Sequence, residues 1–262
     1  MIKKILFTLV LVALAAAAGG CSFLSLGGSP SQPSHTDEQA KAQLNLAAAL
    51  LMQGENSRAL PELMKAKELA PRNADVENYL GLAYYGLKEY NLAAESFQKA
   101  LKLDSKRTDV HNNLGLVYLE QQNYDKALAE FNICLKDLLY QKQQLPLSNI
   151  GLTYMEMGRY DEALASLKRA TEIAPDYPNS YQIIGRVYLK QNRNKEAIDY
   201  LSNAARLDPG DPETFMLLGD AYANMNNAEE AASAYSKAAT LAPNTNLALE
   251  AQKKARAIMG FD

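Results

Sequence analysis

Two cysteines and two histidines are the side chains of this chain that could do covalent or metal chemistry. The histidines, His35 and His111, are too few and too far apart for a multi-histidine metal site or a Ser-His-Asp triad. No phosphate-binding glycine loop accompanies them. Carboxylate pairs such as Asp161-Glu162 stand at predicted helix starts, where they favour the helix dipole. The sequence therefore predicts no enzyme, no metal and no cofactor; a hydrolase or transferase with an unrecognised site is the alternative.

Cys21 follows a leader with the composition of an export signal. Lys3-Lys4 precede the run Ile5–Ala18, which is apolar except for Thr8, and Gly19-Gly20 separate that run from the cysteine. A helix of this length spans about 21 Å, short of the roughly 30 Å hydrocarbon core of a bilayer, so a transmembrane helix is not predicted. The pattern instead predicts a signal peptide over residues 1–20.

Small residues directly before a cysteine resemble the bacterial lipobox, although Ala18 stands where leucine is commonest. The resemblance implies cleavage after Gly20 and acylation of Cys21, which would anchor the protein to a membrane. Ser22 replaces the Asp that resembles an inner-membrane retention signal, so the implied location is the outer membrane, facing the periplasm. Residues 21–39 are predicted to be the lipidated cysteine and a flexible tether, because Ser, Gly and Pro dominate there. The alternative is an ordinary signal peptide with a coincidental cysteine.

Five glycines give the rest of the chain its period. They lie in a Leu/Ile-Gly-x-x-Tyr frame at separations of 34, 36, 34 and 34 residues, and each frame is followed by an Ala-x-x-x-Phe/Leu/Tyr pair. The glycines are Gly81, Gly115, Gly151, Gly185 and Gly219. Gly in one helix and Ala in the next remove side chains where two helices cross, so the backbones can approach closely. Asn123, Gly158, Asn192 and Asn226 suit the tight turn between them.

This frame resembles the tetratricopeptide repeat. The resemblance implies an all-α fold, a right-handed solenoid of six helix-turn-helix repeats followed by a capping helix over residues 246–262. The six repeats are predicted at residues 40–73, 74–107, 108–143, 144–177, 178–211 and 212–245. Cys134 falls where other repeats place alanine, for example Ala100 and Ala170, so it is predicted to be a buried core residue rather than a nucleophile.

Proteins with this repeat bind extended or helical segments in a concave groove lined by the first helices. The positions one and four residues after the glycine would face that groove, and in repeats two to four they are apolar. We name these six residues the apolar ladder: Leu82, Tyr85, Leu116, Leu119, Leu152 and Met155. Asn78, Asn112, Asn113 and Asn149 edge it and are predicted to hydrogen-bond a guest backbone. The alternative is that the ladder only packs between adjacent helices.

The partners implied are therefore a protein in the groove and a membrane at Cys21. A formal net charge of -3 and a pI near 5.6 give no electrostatic basis for binding nucleic acid.

The third repeat carries a more specific feature, an extension of two residues within Cys134–Ala163. Together with six repeats behind a lipobox, it resembles the type IV pilus biogenesis lipoproteins called PilF, PilW or Tgl. The matching positions are Asp137, Leu139, Tyr140, Asn149, Gly151 and Leu152, whereas Gln141 replaces a proline frequent in that family. The resemblance implies a pilotin that helps an outer-membrane secretin localise or assemble. The alternative is a lipoprotein scaffold for another envelope complex, in peptidoglycan remodelling or in polysaccharide or protein export.

Overall fold

The computed structural model describes residues 35–260, with side chains from Thr36 onward. The predicted signal peptide, Cys21 and the tether up to residue 34 lie outside the described residues, as do residues 261–262. No helix between residues 35 and 260 combines the length and apolarity needed to cross a bilayer.

The described residues form thirteen α-helices and no strand, so the predicted all-α fold is confirmed. In chain order the helices are α1 (His35–Met52), α2 (Asn56–Leu69), α3 (Ala74–Gly86), α4 (Tyr90–Leu103), α5 (Thr108–Glu120), α6 (Tyr124–Lys136), α7 (Gln144–Glu156), α8 (Tyr160–Ile173), α9 (Pro178–Lys190), α10 (Asn194–Leu207), α11 (Pro212–Asn224), α12 (Ala228–Leu241) and α13 (Asn246–Ile258). Each odd-numbered helix packs most extensively on the even-numbered helix that follows it, except α13, which packs on α12.

The two helices of a repeat cross where the first helix has no side chain. A Cβ atom built on any of the five repeat glycines would lie less than 3.0 Å from a large buried side chain of the second helix. The pairs are Gly81–Phe97, Gly115–Phe131, Gly151–Leu167, Gly185–Leu201 and Gly219–Tyr235. Four of these large side chains have no exposed surface and Tyr235 is 3% exposed, so the crossing is the core of each repeat. In the first repeat Ala47 replaces the glycine, and it is buried with Leu63 in one hydrophobic cluster.

One residue in each turn between paired helices has a left-handed backbone. The positive φ angle falls on glycine or asparagine in four turns, but on Lys88 and Gln122 in the other two. Asn123, which we predicted as the turn residue of the third repeat, follows that position and has a φ of -90°. The turn position is fixed by the helix ends, because the residue after it donates its N–H to a carbonyl of the first helix, as Asn123 does to Tyr118.

The repeats follow one another asymmetrically. Each odd-numbered helix contacts the next odd-numbered helix, from α1 with α3 to α11 with α13. No even-numbered helix contacts another even-numbered helix within the described residues. The odd-numbered helices therefore line the inner side of the array, and the even-numbered helices lie on its outer side.

The array departs from the predicted boundaries at its first helix. Helix α1 begins at His35, so residues 35–39 of the predicted tether are helical, with Asp37 and Glu38 in the first turn where they favour the helix dipole. The connection between α6 and α7 covers residues 137–143, whereas the other connections between repeats have four residues. That longer connection accommodates the extension of the third repeat.

We predict that Gly151→Ala destabilises the protein, although alanine is the better helix former. The new Cβ atom would overlap the Leu167 side chain, and overpacking of this kind costs about 1–3 kcal/mol of unfolding free energy. The measurement is chemical denaturation followed by circular dichroism.

The control is the same change in a Leu167→Ala background, where space is available and the added cost should be much smaller. An unchanged or higher stability of Gly151→Ala would contradict the role given to this crossing.

Candidate protein-binding surface

The six residues of the apolar ladder lie on the inner helices α3, α5 and α7, and they are not equally accessible. Leu82, Leu116 and Leu152, each one residue after a repeat glycine, are half-buried, as is Tyr85. Leu119 and Met155, each four residues after the glycine, are buried, with 8% and 4% of their surface exposed.

The burial of Leu119 and Met155 is a correction to the predicted surface. Leu119 shares a hydrophobic cluster with Ile150 of the next inner helix, and Met155 shares one with Ile183. These two positions therefore contribute to packing between repeats, which was the alternative interpretation. The accessible part of the ladder is Leu82, Tyr85, Leu116 and Leu152, and its contact with a partner stays a prediction.

The asparagines beside the ladder bond to one another across repeats. The Asn113 side-chain amide donates to the Asn78 carbonyl oxygen at 3.3 Å, and Asn149 donates to Asn112 at 2.9 Å. Asn78 and Asn112 are buried, whereas Asn113 and Asn149 are half-buried. Part of their hydrogen-bonding capacity thus joins neighbouring inner helices. Each amide group has more donors and acceptors than the single bond uses, so Asn113 and Asn149 can still bind a guest backbone.

Glu120 forms hydrogen bonds with two tyrosines, one of which, Tyr85, belongs to the ladder. The hydroxyls of Tyr85 and Tyr90 donate to its two carboxylate oxygens at 3.4 and 3.2 Å. The two rings lie 5.9 Å apart between their centroids. Burial, together with the charge of Glu120, raises the pKa of Tyr85 to about 12, so this hydroxyl stays protonated and donates at neutral pH. The repeat pattern did not predict this cluster.

The inner side changes character in the fifth and sixth repeats. Arg186 and Asp220 occupy the positions that hold leucine in repeats two to four. Arg186 pairs with Glu156 at 3.6 Å, and Lys254 of α13 pairs with Asp220 at 2.8 Å. Tyr235 donates its hydroxyl to the same Asp220 carboxylate at 2.7 Å. Arg186, Asp220 and Tyr235 border an open cavity of about 520 Å³, whose lining mixes charged side chains with Leu189 and Leu217.

The two groups that could do chemistry among the described residues are both held in packing or hydrogen bonds. Cys134 has no exposed surface, and its thiol donates to the Thr108 carbonyl oxygen at 3.3 Å. Burial raises the pKa of this thiol to about 12, so it is not ionised at neutral pH. His111 Nδ1 lies 2.7 Å from Glu130 Oε2. No group of three or more metal-ligating side chains comes together in the part of the chain that the structure describes.

Sequence comparison agrees with this architecture. Models of the tetratricopeptide repeat match residues 144–209 and 184–246, and a model described as TPR repeat matches residues 81–122. Paired helices that recur at this period define a helical-repeat scaffold, a class whose members generally bind other proteins. The chain belongs to the tetratricopeptide-repeat family. No curated protein matches it.

Solved structures share the fold. PilF of Pseudomonas aeruginosa is 24% identical, with a TM-score of 0.64 over 84% of this chain and 99% of that one. PilW, described as a widely conserved type IV pilus biogenesis factor, is 20% identical, with a TM-score of 0.69 over 80% and 97%. Yeast Tom70 is 18% identical, with a TM-score of 0.68 over 85% of this chain but 47% of its own. The three sequence identities are low, and 435 solved chains match this structure. These similarities therefore show a shared fold alone.

We predict that Cys134 resists alkylation in the folded protein. With a pKa of about 12, roughly one thiol in ten thousand is ionised near pH 8, and burial keeps the reagent away. Treatment with iodoacetamide, followed by mass spectrometry of the Cys134 peptide, should show slow labelling that becomes fast in guanidinium chloride.

Cys134→Ala is the matched control, since alanine fills this position in the other repeats, and it should melt within a few degrees of the unchanged protein. Rapid labelling of the folded protein would overturn the assignment of Cys134 to the core.

Proposed function

We propose that this protein is a membrane-anchored scaffold whose inner surface holds a segment of another cell-envelope protein. The observation that carries the proposal is the accessible part of the apolar ladder. Leu82, Leu116 and Leu152 recur at one position on three successive inner helices, and all three keep exposed surface. A row of this kind fits a segment whose own apolar side chains recur along its length. Asn113 and Asn149 lie beside the row and supply amides for the backbone of the guest.

The particular role that we propose is that of a pilotin, which assists the assembly or localisation of an outer-membrane secretin in type IV pilus biogenesis. Three features support it. The leader resembles a lipobox, the repeats number six, and the connection over residues 137–143 is extended. The match to PilF and PilW also covers those chains almost end to end, at 99% and 97%.

The membrane anchor is proposed at Cys21. We predict that Cys21→Ser abolishes incorporation of labelled palmitate and releases the protein from membranes during a high-salt wash. Its helical circular dichroism should not change, because no described helix includes Cys21. Palmitate labelling that persists in Cys21→Ser, or retention on membranes in high salt, would rule out this anchor.

The groove is tested with the double variant Leu116→Glu and Leu152→Glu. Two carboxylates would replace apolar atoms that the partner buries, at a cost above about 2 kcal/mol of binding free energy, which corresponds to at least 30-fold weaker binding. The measurement is affinity capture from membranes, with thermal melting of the same variant. Both leucines are half-buried, so the fold should survive.

The matched control is Leu92→Glu on the outer helix α4, where the leucine is 42% exposed. This variant should capture the partner normally. Normal melting and undiminished capture by the double variant would exclude the groove. Recovery of a secretin with the unchanged protein supports the pilotin role, whereas a different envelope protein that depends on the same leucines would favour a scaffold for another complex.

A further inference from the structure

The connection over residues 137–143 presents two adjacent leucines to solvent. Leu138 and Leu139 are each 89% exposed. Met52 is the one other large apolar side chain of the described residues with comparable exposure, and it stands alone at 90%. The four-residue connections between the other repeats carry no exposed leucine, isoleucine or methionine. The repeat fold therefore does not require the leucine pair.

The leucines are held outward by an ordered backbone. The Thr108 hydroxyl donates to one Asp137 carboxylate oxygen at 2.5 Å, and the Leu139 N–H donates to the other at 3.0 Å. Tyr140 N–H donates to the Asp137 carbonyl at 3.2 Å. The Tyr140 ring is half-buried, and burial raises its pKa to about 12. The bonds to Asp137 and the packing of Tyr140 leave both leucine side chains projecting from the surface.

Three lysines lie near the pair: Lys136 and Lys142 are close to it in sequence, and Lys106 borders the same cavity as Leu139 and Lys142. Lys136, Lys142 and Lys106 are exposed, and none forms an ion pair with a described residue. The nearby acids keep their charge: the hydrogen bond from Thr108 lowers the pKa of Asp137, and Arg107 pairs with both Asp75 and Asp109, at 2.6 and 2.8 Å. Asp104 is exposed, with one carboxylate oxygen accepting the Lys106 N–H. The four cations Lys106, Arg107, Lys136 and Lys142 are therefore matched in number by Asp75, Asp104, Asp109 and Asp137, but the three lysines form no ion pair and can meet an anionic surface.

We propose that this connection is a membrane contact, in which Leu138 and Leu139 insert into the surface of an anionic bilayer while the three lysines bind its headgroups. Exposed apolar side chains with adjacent basic residues are what interfacial membrane binding requires. A protein partner is favoured less, because a stable protein interface buries about 800 Å² on each side and two protruding leucines offer only a small part of that area. The contact includes none of the six residues of the apolar ladder, although Leu139 borders the same cavity as Asn112 and Asn113. With an acylated Cys21, it would give the protein a second point of attachment and orient the helix array on the membrane.

The absence of tryptophan from the chain provides a direct test. Leu138→Trp introduces a single tryptophan at the proposed contact, and Met52→Trp introduces one at an equally exposed site elsewhere. Both are made in full-length protein carrying Cys21→Ser, so any effect of the leader is common to the two. The probe is vesicles of phosphatidylcholine with about one third phosphatidylglycerol. We expect a blue shift and protection from iodide quenching for Leu138→Trp, and neither for Met52→Trp.

Charge is tested by adding Lys136→Glu and Lys142→Glu to Leu138→Trp. The vesicle concentration at half-maximal shift should rise at least several-fold, and circular dichroism should confirm that the helices are retained. An emission spectrum of Leu138→Trp that vesicles do not change, or an equal shift in both tryptophan variants, overturns the membrane contact. Either result would leave the leucine pair as a surface for a protein. Because the vesicles contain no protein partner, neither outcome bears on the groove.

Discussion

The close crossing of two helices within each repeat is the constraint on which the rest of the structure depends. It requires a glycine in the first helix, since a side chain there would occupy the volume of Phe97, Phe131, Leu167, Leu201 or Tyr235. A glycine inside a helix is unfavourable by up to about 1 kcal/mol relative to alanine, and burial of a large side chain against its backbone offsets that cost. In the first repeat, Ala47 stands at the glycine position and is buried in the same hydrophobic cluster as Leu63.

Most of the fold could be predicted from the sequence because this constraint recurs at a fixed spacing. Five inner helices begin at the first residue of a predicted repeat, at positions 74, 108, 144, 178 and 212. The structure differs from the prediction at positions whose conformation the repeat frame does not specify. Helix α1 extends back to His35 because polar residues without glycine or proline can continue a helix, and Gln122 adopts a left-handed backbone because the helix ends require it. Both are set by local geometry rather than by the period.

The candidate surface was less predictable than the fold. Phase within one helix predicted a common side for the whole ladder, yet it could not separate Leu116, which is half-buried, from Leu119, which is 8% exposed. That difference depends on the distance to the next inner helix. The asparagine pairs and the Lys254–Asp220 ion pair also form between repeats, since their members are 34 to 37 residues apart. Complementary polar residues one repeat apart were the signal in the sequence that could have revealed them.

The lack of contact between even-numbered helices has a mechanical consequence. Among the described helices, the inner ones form a continuous row of contacts, while successive outer ones are separated. Bending that spreads the outer helices breaks no direct contact between them, whereas compression along the inner row meets close-packed side chains. Each outer helix also packs on the inner helix that follows it, so these interfaces would have to shift as the array bends. A guest segment that changed the curvature of its binding surface would therefore act through the packing of outer helices on the next repeat.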